Sequence, residues 1–258
     1  MKSRILFAAM LGCLLLLSSP NHSIAQNIVV PNSLANVEGN ANNGFPFNIG
    51  DFNISTQRYQ QDYASNQFSA ITGPTLITAI SFRPDSSTGS AFNSTLTNIQ
   101  INLSTTTIAP SGLSTTYASN IGGDDTQVYS GSLTLSSTNT GGPPRNFDIV
   151  ITLQTPFLYD PALGNLLMDV RNFGGGITTQ FNADSSDGSI GRVWNTDVNS
   201  ATGTINTSGN GLVTQFTFAA VPEPTTWALI GVGTFGAGAF AWRKKRLATK
   251  AGMAKLTV

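Results

Sequence analysis

From Leu76 to Phe218 the chain carries a series of short runs in which apolar residues recur at every second position. Leu76, Thr78, Ile80 and Phe82 share one face of the first run, which ends at Pro84-Asp85. Ile99, Ile101 and Leu103 alternate with Asn98, Gln100 and Asn102. Tyr129, Gly131, Leu133 and Leu135 alternate with Ser130, Ser132 and Thr134, and Phe147, Ile149, Ile151 and Leu153 with Asp148, Thr152 and Gln154. Leu166, Met168 and Val170 alternate with Asp169 and Arg171, and Phe216 and Phe218 flank Thr217. A sheet with one buried face demands period two. The separators are turn clusters: 86–90, 122–125, 140–144, 174–176 and 184–188. No segment of this region shows a helical period of useful length. The pattern predicts an all-β fold, an antiparallel jelly-roll-like β-sandwich from about Val29 to Phe218. No repeat of propeller or solenoid length is visible.

Residues 26–70 are irregular and rich in asparagine, glycine and proline. Gly44-Phe45-Pro46-Phe47 supplies aromatic anchors. Arg58-Tyr59-Gln60-Gln61-Asp62-Tyr63 mixes polar groups with aromatics. It reads as an early strand, with a short helix as the alternative.

The ends are built differently. Residues 1–25 read as a signal peptide: Lys2 and Arg4, an apolar centre from Ile5 to Leu17, and a small-x-small site at Ser23-Ile24-Ala25. Cys13 lies inside that apolar centre. At the other end Val221-Pro222-Glu223-Pro224 precedes an uncharged run from Trp227 to Trp242, then Arg243-Lys244-Lys245-Arg246. The prolines hold the backbone extended and deny it ladder hydrogen bonds, which displays Glu223. As a helix the run spans roughly 24 Å, short for a hydrocarbon core of about 30 Å. The segment 225–242 is therefore predicted to be a membrane helix that suits a temporary anchor. Its flanking tryptophans favour the interface, and the basic cluster stops transfer. The expected organisation is a signal peptide (1–25), a β domain (26–220), a C-terminal segment of motif, membrane helix and basic cluster (221–246) and a short cytoplasmic tail (247–258).

This tail resembles the PEP-CTERM sorting signal of Gram-negative bacteria. The resemblance covers about Val221 to Arg246. It implies export, recognition of Pro222-Glu223-Pro224 by a membrane exosortase, transient inner-membrane anchoring, and delivery to the cell envelope, surface or extracellular matrix. The family's association with exopolysaccharide and biofilm matrix implies a matrix role. Twelve residues, 247–258, follow the basic cluster, where the family usually stops sooner. The central domain also generally resembles the lectin-like β-sandwiches found upstream of such tails, without a specific motif.

Removing the ends changes the charge picture. Every lysine, the only cysteine and the only histidine (His22) lie in them. Between Gln26 and Ala220 five arginines face twelve acids, a net charge of −7. An acidic domain disfavours nucleic acid as a partner. Without cysteine or histidine it has no disulfide framework, Cys nucleophile, Ser-His-Asp triad or ordinary zinc site. No cofactor or metal is expected. Asp124-Asp125 and the Asn182–Gly188 turn offer hard oxygen ligands, but their spacing fits no standard calcium loop, and solvated turns are the better reading. Trp194, Tyr59 and Tyr63 are candidates for stacking on a sugar, with Trp194 foremost because its neighbours Arg192, Asn195 and Asp197 are polar. Tyr117, Tyr129 and Tyr159 complete the aromatic set. Core packing is the competing role for all of them. Glu38 is the only glutamate of the domain and would be one member of a hydrolytic carboxylate pair. Three functions follow: a non-enzymatic structural or adhesive envelope protein, preferred; a carbohydrate-binding surface module with exopolysaccharide as ligand; and a secreted carboxylate hydrolase.

Overall fold

The computed structural model describes residues 25–205 and 210–221. Strands are numbered in chain order. One sheet holds β1 (Gln26–Val30), β13 (Thr214–Ala219), β4 (Thr75–Phe82) and β7 (Ile149–Tyr159), in that spatial order. A second places side by side β11 (Thr204–Ile205), β10 (Ile190–Asn195), β3 (Gln57–Tyr63), β8 (Asn165–Gly174), β5 (Phe92–Thr106) and β6 (Thr126–Ser137). A small third sheet orders β12 (Gly211–Leu212), β9 (Phe181–Asp184) and β2 (Ala41–Asn43). Every ladder is antiparallel. The all-β expectation holds among the described residues, whose only helical pieces are short 3-10 turns.

The two larger sheets share one core. Ile28, Val30, Ile80, Phe82, Ile151, Phe216 and Phe218 on one side meet Tyr59, Tyr63, Ile99, Ile101, Leu103, Met168 and Val170 on the other. Each such side chain contributes roughly 1.5–3 kcal/mol by leaving water. Tyr63 of β3 meets Phe216 of β13 edge-on at 4.9 Å and so joins the layers, and Phe68, just after β3, packs on the first sheet through Tyr159, Phe216 and Phe218 at 5.1, 5.6 and 6.0 Å.

The predicted alternation survives where ladders are regular and slips where they bulge. Ile99, Ile101 and Leu103 all point inward. In β4 the register against β7 shifts between Ile77 and Ala79. The bulge turns Ile77 inward beside Ile80 and Phe82 and leaves Leu76 and Thr78 half-exposed. In β6 the fully buried residue is Val128, with Tyr129 only half-buried, because the β5 ladder shifts between Ile101 and Asn102. The polar stretch from Arg58 to Tyr63 is a strand, and every residue of β3 is buried. It runs through the interior of the six-stranded sheet and is covered on both faces.

Two side chains do the work of backbone. Gln154 of β7 accepts from the Ser130 amide at 3.1 Å and donates to the Ser130 carbonyl at 3.0 Å. It thereby bridges the outer strands β6 and β7 and seals that seam between the sheets. Arg83, 1% exposed, fixes the irregular segment after β1. Its guanidinium donates to the carbonyls of Leu34 (2.9 Å) and Val37 (2.6 Å) and to Asn182 Oδ1 (3.0 Å from Nε), over the Phe147 ring at 4.8 Å. Replacing it with methionine, Arg83→Met, strands the buried Asn182 Oδ1 and frees the part-buried carbonyls of Leu34 and Val37. The expected loss is about 3 kcal/mol, read as a lower urea midpoint at unchanged slope.

Candidate functional site

The three stacking candidates lie on the core-facing side of β3 and β10, since Tyr59 pairs with Trp194. Tyr59 and Tyr63 are fully buried and present no ring face to a ligand. Tyr59 bonds Gln61 Oε1 at 2.5 Å, Gln61 exchanges two 2.8 Å bonds with the Leu212 backbone, and Tyr63 pairs with Thr214 at 2.9 Å. Burial pushes the Tyr59 phenol up to about 12 and the Tyr63 phenol well above its ordinary value. These tyrosines are core, for which their amphipathic rings suit a strand with polar neighbours. Trp194 alone keeps partial exposure. It leans on Phe45 at 5.1 Å, which in turn meets the exposed Phe52 edge-on at 5.3 Å. The Trp194 indole N–H is buried and has no partner among the described residues.

The opposite face of the long sheet holds the main concentration of polar chemistry. Strand register sets it out in rows. Asn195, Arg58, Arg171, Gln100 and Ser130 form one; Val193, Gln60, Asp169, Asn102 and Gln127 form the next; Gly191, Asp62, Leu167 and Ser104 form a third. Arg58 grips Asp169 through two bonds, Nη2 to Oδ2 at 2.6 Å and Nε to Oδ1 at 3.2 Å. Gln60 donates to the same carboxylate at 2.9 Å.

The segment between β5 and β6 covers part of this face. Tyr117 lays its ring on the Arg58 guanidinium at 4.3 Å, and its hydroxyl donates to the Arg58 carbonyl. Asn120 donates to Gln60 Oε1 at 2.9 Å, and the Gly122 amide to Ser104 Oγ at 3.1 Å. Pro110 approaches Gly191 so closely that a Cβ there would collide with the Pro110 carbonyl. Asp62, cross-strand neighbour of Gly191 and Leu167, is fully buried. Neither carboxyl oxygen reaches a hydrogen-bond partner among the described residues. Burial raises its pKa from 3.8 to about 8, and the adjacent Tyr63 amide offsets only part of this. Asp62 is therefore mostly protonated at neutral pH.

The part of the first row beyond Arg58, from Arg171 through Gln100 to Ser130, remains open, beside Phe173, whose outward ring is 38% exposed. Gln100, Asn102 and Arg171 looked like plain solvent alternates, and nothing in a single strand shows that three polar rows will stand in register.

The other candidates serve local structure. Glu38 accepts from the Ser86 amide at 2.9 Å and from Asn182 at 2.8 Å, locking the same segment as Arg83. Asp124 accepts from the Thr105 amide, Asp184 from the amides of Ser186 and Asp187, and Asp187 from that of Ser189. The Asp184 and Asp187 bonds are the Asx-type bonds that turn aspartates provide, whereas Asp124 ties its turn to β5.

The sorting segment begins where the domain stops. β13 ends at Ala219 and Val221 is exposed. Pro222, Glu223 and Pro224, the predicted membrane segment 225–242, the basic cluster Arg243–Arg246 and the signal peptide up to Ile24 lie outside the described residues. Among the described residues no helix is long and apolar enough to cross a membrane.

Fold and tail together define a β-sheet domain followed by a short segment of targeting character. The family model of the PEP-CTERM protein-sorting motif matches residues 220–246, so the chain carries that sorting domain. The motif implies exosortase-dependent sorting of an exported protein, with transient membrane anchoring. A search of curated proteins finds no match to the chain.

Proposed function

We propose that the protein is a non-enzymatic structural or adhesive component of the cell envelope or extracellular matrix of a Gram-negative bacterium. An exosortase sorts it through Pro222-Glu223-Pro224, and the β domain is the cargo. The observation that carries this reading is the sorting motif at 220–246, directly after the last strand of a densely hydrogen-bonded domain. The one carboxylate named for hydrolysis supports it: Glu38 accepts from Ser86 and Asn182 through Oε1 and holds the segment after β1. The strand succession supports a jelly-roll-like sandwich. β1, β4, β7 and β13 build one sheet and β3, β5, β6 and β8 the other, in the orders 1-13-4-7 and 3-8-5-6, which two nested Greek keys produce.

The full-length protein is expected to co-sediment with polysaccharide from its own envelope or matrix and to release no reducing sugar from it. Release of reducing sugar, abolished by one carboxylate substitution, would replace the structural reading with the hydrolase. A second reading, a dedicated carbohydrate-binding module, is favoured by the half-exposed Trp194 beside Phe45 and Phe52. It expects Trp194→Ala to abolish retention on the polysaccharide.

A further inference from the structure

We propose that the open half of the six-stranded sheet's outer face, on Phe173, Arg171, Gln100, Asn102 and Asp125, binds a neutral hexopyranose chain. This rests on the adhesive reading above and gives it a location distinct from Trp194.

The floor is set by register: Arg171 stands beside Gln100, which stands beside Ser130, on three adjacent strands about 4.8 Å apart. A relay orders the polar groups. Gln100 Nε2 donates to Asn102 Oδ1 at 2.8 Å, and Asn102 Nδ2 donates to Asp125 Oδ2 at 2.9 Å. Asp125 comes from the segment that covers the other half of the face, so it stands as a wall beside the floor. The relay leaves Gln100 Oε1 and Asp125 Oδ1 as acceptors and the second hydrogen of each amide as donor. The Arg171 guanidinium forms no hydrogen bond or ion pair among the described residues. Phe173 lies two residues further along β8 on the same face, its ring open to solvent. That separation is about 7 Å along a strand, the scale of one pyranose ring. A sugar resting on Phe173 buries its apolar face there and turns its hydroxyls, each both donor and acceptor, toward Arg171 and the relay.

Charge decides between neutral and anionic chains. Arg58 is neutralised by Asp169, and Arg171 lies within electrostatic reach of Asp125 in a domain of net charge −7. A polyanion is repelled overall, whereas a polyol uses both the carboxylate and the guanidinium.

The test is calorimetric titration of the detergent-solubilised full-length protein with cellohexaose and mannohexaose, beside a galacturonan hexasaccharide. The expected result is binding of a neutral probe. Phe173→Ala and Arg171→Ala each weaken it roughly tenfold, the scale of one stacking or charge-assisted contact. Phe173→Tyr keeps it, and melting temperatures stay near wild type because Phe173 is exposed and the Arg171 guanidinium makes no hydrogen bond or ion pair among the described residues. Preference for the anionic probe, affinity unchanged in Phe173→Ala and Arg171→Ala, loss only in Trp194→Ala, or no binding of any probe would each overturn the proposal. If native envelope polysaccharide is still retained in any of those cases, the adhesive reading stands and only its placement on this face fails.

Discussion

Stability of the β domain is expected to fall by on the order of 5 kcal/mol as pH rises from 4 to 8, with Asp62 as the cause. Asp62 sits in the third row of the outer sheet face, beneath the segment containing Pro110, without hydrogen-bond partners among the described residues. Its folded-state pKa of about 8 lies above the ordinary 3.8. Between those values the folded chain holds a proton that the unfolded chain has released. The contribution is therefore fully present below about pH 4, declines through the interval, and is gone above about pH 8. The magnitude follows from about 1.4 kcal/mol per pKa unit. Asp62→Asn keeps the shape without the titration. Urea unfolding at pH 5, 7 and 9 should give midpoints that descend for wild type and lie close together for the variant. Equal slopes in the two proteins would mean that the Asp62 carboxyl is not buried as described.

Glu223→Ala is expected to leave an unprocessed precursor in the membrane fraction, with intact mass including residues beyond 224. The substitution lies past the end of β13, so the domain's melting should not change. The mechanism is recognition. Pro222 and Pro224 on either side remove backbone donors and exclude helix, so the side chain of Glu223 is the feature a membrane enzyme has to read. Wild-type mass and wild-type location in the variant would detach the motif at 220–246 from any exosortase step in this protein.

How much of this was legible depends on which force acts at each position. The core of β5 was plain, because Ile99, Ile101 and Leu103 obey a two-residue period in an unbroken ladder. The period misled at Leu76, where a bulge that no composition signals hands the inward place to Ile77. β3 was harder still. Gln57-Arg58-Tyr59-Gln60-Gln61-Asp62-Tyr63 has the polarity of a surface segment, yet it is buried at every residue. Arg58, Gln60, Gln61 and Tyr63 are matched by partners distant in sequence, Asp169, Tyr117, Asn120, Leu212 and Thr214, while the Gln57 and Asp62 side chains are buried without one among the described residues. The same reason misplaced Tyr59 and Tyr63 as ligand contacts, since an aromatic beside glutamine and aspartate looks exposed until the opposing layer is seen. Phe173 drew no notice, because one aromatic before a glycine run has no periodic signature. The sorting motif was the reverse case. Its information is local: Pro-Glu-Pro, an apolar run and a basic cluster follow in order, and the family match at 220–246 covers them.

The pairing of β1 with β13 reaches beyond packing. Gln26 lies opposite Phe218, so the first residue after the predicted signal-peptide cut is held against the last strand before the sorting motif. β13 is also an interior strand, clasped by β4 on its other side. A polypeptide threaded outward from its N-terminus thus lacks a central stave of its first sheet until residues 214–219 have crossed. The first sheet can therefore complete only when residues 214–219, immediately ahead of Pro222-Glu223-Pro224, are available to pair with both β1 and β4, a closure between contacts separated by nearly the whole domain.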